Sequence, residues 1–273
     1  MTNCFSRPSA RIPRFVDVAF PTELLLTSTA ANTRRRHRHR HLGHVRPLSP
    51  LLLPFQQSPL TRASDIADQF PSASVIGFDI SPIQPAWVPA NLRFEIDDAQ
   101  LSWTYPPGQF DFVHIRNLHG GISDWPALYR EAFQCNRLGG YLEHVEFNIR
   151  TLSDIAPPDH IYFRWNALFA EAGERMGRTF QIYDQMPGHI ADAGYVDVVA
   201  RTWKVPIGGW AKDPRLKSIG LYTLLFLEQS VEGFALYMLK NVMGWEFEEI
   251  QVLIAQMCEG WRQWRQWQPY YEM

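Results

Sequence analysis

Cysteine is scarce: Cys4, Cys135 and Cys258 are the whole supply in 273 residues, far apart and in no CxxC or metal-ligand spacing. That excludes a disulfide-stapled miniprotein and a zinc-ribbon type of site, and a reducing interior follows. Lysine occurs four times, always at or beyond position 204, and residues 1–76 contain a single glycine, Gly43. No apolar run reaches the roughly 18 residues a spanning helix needs; the best candidate, 218–227, stops at Glu228. No membrane partner is therefore expected. No secretory h-region opens the chain, so the expected location is cytoplasmic or nuclear rather than secreted. The arginines and near lack of acids in the first twenty residues give a faint transit-peptide composition. Walker loop, GxSxG elbow, zinc motif and internal repeat are all missing.

What is present suffices for a core. Hydrophobic residues make up 46% and aromatics 14% of the chain, which is not the composition of a disordered or collagen-like protein. The net charge of −2 conceals a division. Residues 1–62 carry ten arginines against two acids, Asp17 and Glu23, whereas residues 63–273 carry 16 Lys+Arg against 26 Asp+Glu. The two parts read as different kinds of sequence.

Residues 1–63 are expected to be an atypical basic, disordered segment, with 22–62 largely unpacked. Prolines at 8, 13, 21, 47, 50, 54 and 59 interrupt helical periodicity. Phe15 to Phe20 could make one short strand. The run RRRHRHRH (34–41) reads as a nuclear-import signal, a phosphate-binding arm or, most simply, a solvated charge run. Nucleic acid is not an expected partner, because the acidic balance of residues 63–273 leaves no broad basic face.

From Ser64 strands and helices alternate. Ser64 reads as the cap of a helix over 65–70, followed by strands at 74–79, 92–96, 110–115 and 141–147. A helix over 124–135 is capped by Asp124, with Trp125, Leu128, Tyr129 and Phe133 near helical spacing. This rhythm predicts a parallel sheet flanked by helices. Beyond it, helices are expected at 159–177, 185–194, 217–228, 231–242 and 247–267, and a strand over 195–205. The domain is thus read as 64–273, with helical insertions after residues 153 and 214.

Ligands of an open parallel sheet bind at the carboxyl ends of its strands. Four strand ends carry polar groups: Asp79, Asp97 and Asp98, Arg116, and Glu143 with His144. A carboxylate at Asp79 can accept from a ribose diol, and Asp98 from an adenine amino group; taken singly, each is equally a cap or turn former. His119 lies in a loop where a general base toward an acceptor is conceivable, a surface histidine being the plainer reading. His114 reads as a satisfied strand residue. His144 and Glu146, two apart, face one side of a strand with no third ligand, so no metal is expected. Trp261, Trp264 and Trp267 form a stripe that reads as core packing, partly exposed.

Together, VIGFDISPIQP (75–85), NLRFEIDDAQLSWTYPPGQFDFVHIR (91–116), DWPALYREAF (124–133) and RLGGYLEHVEF (137–147) resemble the class I S-adenosylmethionine-dependent methyltransferases. More narrowly, with WKVPIGGWAKDPRLKSIG (203–220) and EGFALYMLKNVMGW (232–245), they resemble the LaeA-type family of fungal secondary metabolism. The resemblance implies an α/β, Rossmann-like fold and S-adenosyl-L-methionine as cofactor. By it, Asp79 holds the ribose, Asp97 and Asp98 lie beside the adenine, and Arg116 and His119 stand on the acceptor side. Trp87 and Trp103 are read as packing residues. The family opens with a strand and a GxGxG loop just before ADQFPSA (67–73), and here that loop is lacking. The sheet is therefore expected to be incomplete at its first strand, with Leu51–Leu53 or Phe15–Phe20 as substitutes, and at its last strand, near Gln268–Met273 where the sequence stops. Cofactor binding is expected to be weak or absent. The implied function is methyl transfer to a small-molecule O, N or C nucleophile. The alternative is a non-catalytic regulator or scaffold with a protein partner, or a degenerate truncated product.

Overall fold

Strands alternating with helices imply a parallel sheet, and the computed structural model shows one. It describes residues 14–19, 59–82 and 87–273. The chain divides into two compact units. One holds described residues 14–19, 59–82, 87–146 and 182–200; the other holds 147–181 and 201–273.

The first unit is built on five parallel strands in the order β3-β2-β1-β4-β5. They are β1 (Arg14–Ala19), β2 (Ser74–Asp79), β3 (Leu92–Ile96), β4 (Phe110–Arg116) and β5 (Asn136–Val145). β2 is buried along Val75–Asp79, as a strand covered on both faces should be. Gly77 is required there, because a Cβ would meet the Phe94 ring at 2.5 Å and the Ala63 methyl at 3.3 Å. Helix α1 (Pro59–Gln69) lays Ala63, Ile66 and Ala67 on Ala73, Val75 and Leu92. The Asn91 amide ties this contact, reaching the carbonyls of Ala67, Phe70 and Ala73 at 3.1 Å each.

Helix α2 (Trp125–Cys135) starts where Asp124 Oδ1 accepts from the Ala127 N–H at 2.8 Å. It buries Trp125, Leu128, Tyr129, Ala132 and Cys135 against Val16, Ile76, Val113 and Ile115. Phe133 falls outside that stripe and meets Tyr195 edge-on instead. Helix α4 (Met186–Asp192) follows a single 3-10 turn, and Met186 and Ile190 complete the cluster.

The second unit is mainly helical: α3 (Ile161–Met176), α5 (Pro214–Tyr237), α6 (Phe247–Arg262) and α7 (Trp264–Trp267). A π-turn, Met238–Val242, closes α5, and Gly244 at φ 75° turns the chain out of it. Two short strands, β6 (Lys204–Pro206) and β7 (Tyr270–Glu272), pair antiparallel. Trp165, Phe169, Leu239, Ile250, Leu253, Met257 and Trp261 fill the core. Tyr162 donates to the Gly260 carbonyl at 2.5 Å and Trp261 Nε1 to Thr151 Oγ1 at 3.2 Å, so the buried polar atoms of these large side chains are satisfied. A cavity of about 50 Å³ remains between Phe147, Trp165, Phe234 and Trp261.

The α/β class and the parallel sheet stand as expected, and the first strand is present. Arg14–Ala19 fills the centre in unbroken register with β2 and β4, so the sheet is not irregular there. A parallel strand needs only two neighbours and a β-forming sequence, and FVDVA supplies the latter. The alternative filler, Leu51–Leu53, lies outside the described residues, as do the basic run 34–41 and positions 22–58. α1 begins at Pro59, a residue suited to a first turn, rather than at Ser64. The strand expected over 195–205 shrinks to β6, because Gly194 and Asp197 adopt positive φ (110° and 56°) and break an extended run. The helices expected at 217–228 and 231–242 are one, since no breaker separates Glu228 from Val231. The tryptophan stripe packs with part of it exposed, as expected: Trp261 is fully buried, Trp264 and Trp267 half-buried. Trp103 packs edge-on to Phe78, but Trp87 is 93% exposed and is not a core residue.

Candidate active site

The strand order reverses between β1 and β4, so the carboxyl edge around these strands is the topological switch point of the sheet. Three sequence-predicted groups lie on that edge. Asp79 ends β2, aligned with Ile96 of β3; Arg116 ends β4, aligned with Ala19 of β1 and Val145 of β5. Asp97 and Asp98 directly follow β3.

Asp79 is 2% exposed, and its Oδ1 accepts from the Ser81 N–H at 2.8 Å. Its carbonyl also accepts from the Asp97 N–H at 3.1 Å, joining the two strand ends. Asp97 Oδ1 accepts from the Asp98 N–H at 2.8 Å, and Asp98 Oδ1 from the Gln100 N–H at 2.9 Å. Each is thus a turn former and half-buried, a shape compatible with one remaining carboxylate oxygen meeting a ligand donor. Below them, Tyr105 donates to Glu95 at 2.5 Å. Burial, then this bond, keep the phenol firmly protonated. Arg116 is half-buried.

His119 is not an ordinary surface histidine. Asn117 takes a left-handed conformation (φ 55°) and Gly120 another (φ 73°), so the chain turns sharply after β4. His119 Nδ1 then lies 2.7 Å from Glu146 Oε2, while the Leu118 N–H donates to Glu146 Oε1 at 2.5 Å. His144 Nε2 reaches the same Oε1 at 3.0 Å, and His144 Nδ1 meets the Tyr129 hydroxyl at 2.7 Å. Trp125 stacks on the His144 ring at 5.3 Å between centroids. Burial pushes the Glu146 carboxyl up, but the hydrogen bonds and charges of His119 and His144 outweigh it and hold it near 2. Burial raises the Tyr129 phenol, and the Glu146 charge adds to that.

The sequence flagged His144 with Glu146 as facing together, which they do; it missed that the pair recruits His119 and Tyr129. The signal was an HxE pattern ending a strand beside a histidine loop, too common to read alone. His114 is buried, stacked on Phe112, with Nδ1 2.9 Å from Glu143 Oε2. Among the described residues no group of three ligating side chains could hold a metal ion.

The strand order, the acidic edge and this loop are those of a nucleotide-type α/β site, and similarity to known proteins agrees. A family described as a methyltransferase domain matches residues 60–194. Methyltransferase pytC of Aspergillus terreus is 37% identical over 70% of this chain and 60% of its own length. Secondary metabolism regulator LAE1 of Cochliobolus heterostrophus is 31% identical over 67% of this chain and 61% of its own. Probable methyltransferase tdiE of Emericella nidulans is 30% identical over 78% and 69%. The chain belongs to the class I S-adenosylmethionine-dependent methyltransferases and is related to those of fungal secondary metabolism and to the LaeA-type regulators. It spans about 60% of the length of pytC. Among the described residues, no helix is long and apolar enough to cross a membrane.

The acidic half of a cofactor site fits that family: a buried carboxylate at the end of β2 and two half-buried ones after β3 suit a ribose and an adenine. The glycine half does not, since Gly43 is the one glycine between β1 and β2. Non-glycine residues resist the positive φ that lets backbone approach a ligand closely.

Proposed function

We propose that this protein acts in fungal secondary metabolism on a small-molecule acceptor, with Asp79, Asp97 and Asp98 toward the cofactor and Arg116 and His119 toward the acceptor. Asp79 carries the reading: a carboxylate 2% exposed at the end of a central strand is costly to bury unless it serves a ligand or a network. The cofactor supplies an electrophilic methyl group on sulfur. The protein's part is to align an O, N or C nucleophile with it, and alignment provides much of the rate. His119 would take the acceptor proton where the acceptor is not already ionised.

A second reading, a non-catalytic regulator that works through a protein partner, is favoured by the missing glycine loop. Binding energy in such a site depends on close backbone approach as well as on carboxylates. Calorimetric titration of S-adenosylmethionine decides between them. The chain as it stands should bind weakly or not at all. Replacing residues 20–58 by a short GxGxG loop, which would join β1 to α1 in the family manner, should restore binding. In that variant Asp79→Ala should lose about 1.5–3 kcal/mol, the scale of a charged hydrogen bond. Tight binding by the unaltered chain would reject the regulator reading, and indifference to Asp79→Ala would reject the ribose assignment.

A further inference from the structure

Glu146 receives three donors. Leu118 N–H and His144 Nε2 converge on Oε1, and His119 Nδ1 meets Oε2 (2.5, 3.0 and 2.7 Å). The carboxylate side chain is wholly buried, with the His144 ring equally enclosed and that of His119 10% exposed. An ionised carboxylate can only accept, and a backbone N–H can only donate. The directions of the remaining bonds follow. With its ring neutral, His144 carries its proton on Nε2, leaving Nδ1 to accept from the Tyr129 hydroxyl at 2.7 Å. His119 must carry its proton on Nδ1. The chain of bonds therefore runs one way from Tyr129 through His144 into Glu146, and from His119 into Glu146.

We propose that Glu146 is a positioning residue, which fixes His119 as the Nδ1–H tautomer and so makes Nε2 the proton-accepting atom at the carboxyl edge of the sheet. This rests on the reading of His119 as the acceptor-side base. The partner of one ring nitrogen determines the role of the other. When the acceptor's O–H or N–H bond breaks, its proton goes to Nε2. The resulting imidazolium stays hydrogen-bonded through Nδ1–H to a carboxylate that does not itself take the proton. His144, Tyr129 and the Leu118 N–H act one step behind: they occupy Oε1 and leave Oε2 pointing at His119. Trp125, stacked on His144, holds that ring in plane.

A purely structural Glu146, tying down the 117–121 loop through Leu118, would not require a particular tautomer at His119. Long-range 1H–15N correlation spectra of the full chain labelled with 15N-histidine separate the two roles, with assignment by His119→Asn and His144→Asn. The expected result is opposite patterns for the two rings: His119 unprotonated at Nε2 and His144 unprotonated at Nδ1. Glu146→Gln, whose amide can also donate, should abolish the Nδ1–H preference of His119. A wild-type His119 protonated at Nε2, or a His119 pattern unchanged in Glu146→Gln, would overturn the proposal. Should Glu146→Gln fail to fold, the pattern in the unaltered chain decides alone. The spectra need no cofactor, so a failed cofactor titration counts against the methyltransferase reading and leaves this result standing.

Discussion

The two units bury different things. In the sheet unit the buried polar residues include Asp79, His114 and Glu146, all capable of charge, and the side chain of His144 is fully enclosed as well. In the helical unit they are Asn148, Thr151, Thr223 and Ser230, all neutral, inside a core of tryptophan, phenylalanine and leucine. Burying an ionisable group costs free energy unless it is paired, and a protein retains such groups where chemistry or binding uses them. The sheet unit therefore carries the candidate chemistry, and the helical unit is held by apolar area. Perturbing each should produce a different signature.

The largest effect is expected in the helical unit. Trp261 is fully buried, stands beside the 50 Å³ cavity and donates to Thr151. Trp261→Ala should enlarge that void and cost about 3–5 kcal/mol in denaturant unfolding. The His119 and His144 spectra of the molecules that remain folded should not change. A loss under about 1 kcal/mol would mean that this core is looser than its packing indicates.

The sheet unit should respond to acid instead. The Glu146 carboxyl is depressed in the folded chain, to about 2 against an ordinary 4.5. Its contribution is fully present above 4.5 and lost as pH falls through the window down to about 2, because the unfolded chain then binds a proton that the folded one resists. The groups facing it are His119, His144 and the Leu118 N–H, with the Tyr129 phenol behind. Unfolding followed across this window should show stability falling with a slope that Glu146→Gln reduces. An equal slope in both proteins would show that the carboxylate is not the group responsible.

The smallest effect belongs to a surface tie within the helical unit. Lys204 Nζ lies 2.9 Å from Asp154 Oδ2 and 4.1 Å over the Tyr270 ring, whose hydroxyl donates to the same aspartate at 2.7 Å. Its exposure makes screening strong. Lys204→Met should cost about 0–1 kcal/mol, less in high salt. A loss of several kcal/mol would make charge pairing as important in this unit as apolar burial.

Much of the sheet was legible because its signals are local. Ser74–Asp79 is a short apolar run ending in a carboxylate, Leu92–Ile96 alternates and runs into Asp97 and Asp98, Phe110–Arg116 is a β-forming run ending in arginine, and Asp124 with a helical stripe marks α2. Asp79, Asp97, Asp98 and Arg116 could be placed at strand ends on that basis alone. What failed was non-local or depended on single dihedrals. The strand expected at 195–205 has apolar alternation, and nothing in its composition reveals that Asp197 turns to φ 56°. The join of two expected helices into α5, by contrast, was open to a local reading, since Gln229 and Ser230 are not helix breakers, and Ser230 and Val231 are buried in it.

By itself, then, the sequence determined the class: β-forming runs alternating with helical stripes, carboxylates at the strand ends and a single glycine before Gly77, each a property of neighbouring residues. Two things only the tertiary structure decided. One is that Arg14–Ala19, 40 residues ahead of the next described element by chain position, takes the central place between β2 and β4. The other is that Glu146 gathers Leu118, His119 and His144 into one hydrogen-bonded group, with Tyr129 bonded to His144. Both depend on which distant segments meet. Backbone pairing and a buried carboxylate are each satisfied by many partners, and packing the whole unit selects among them.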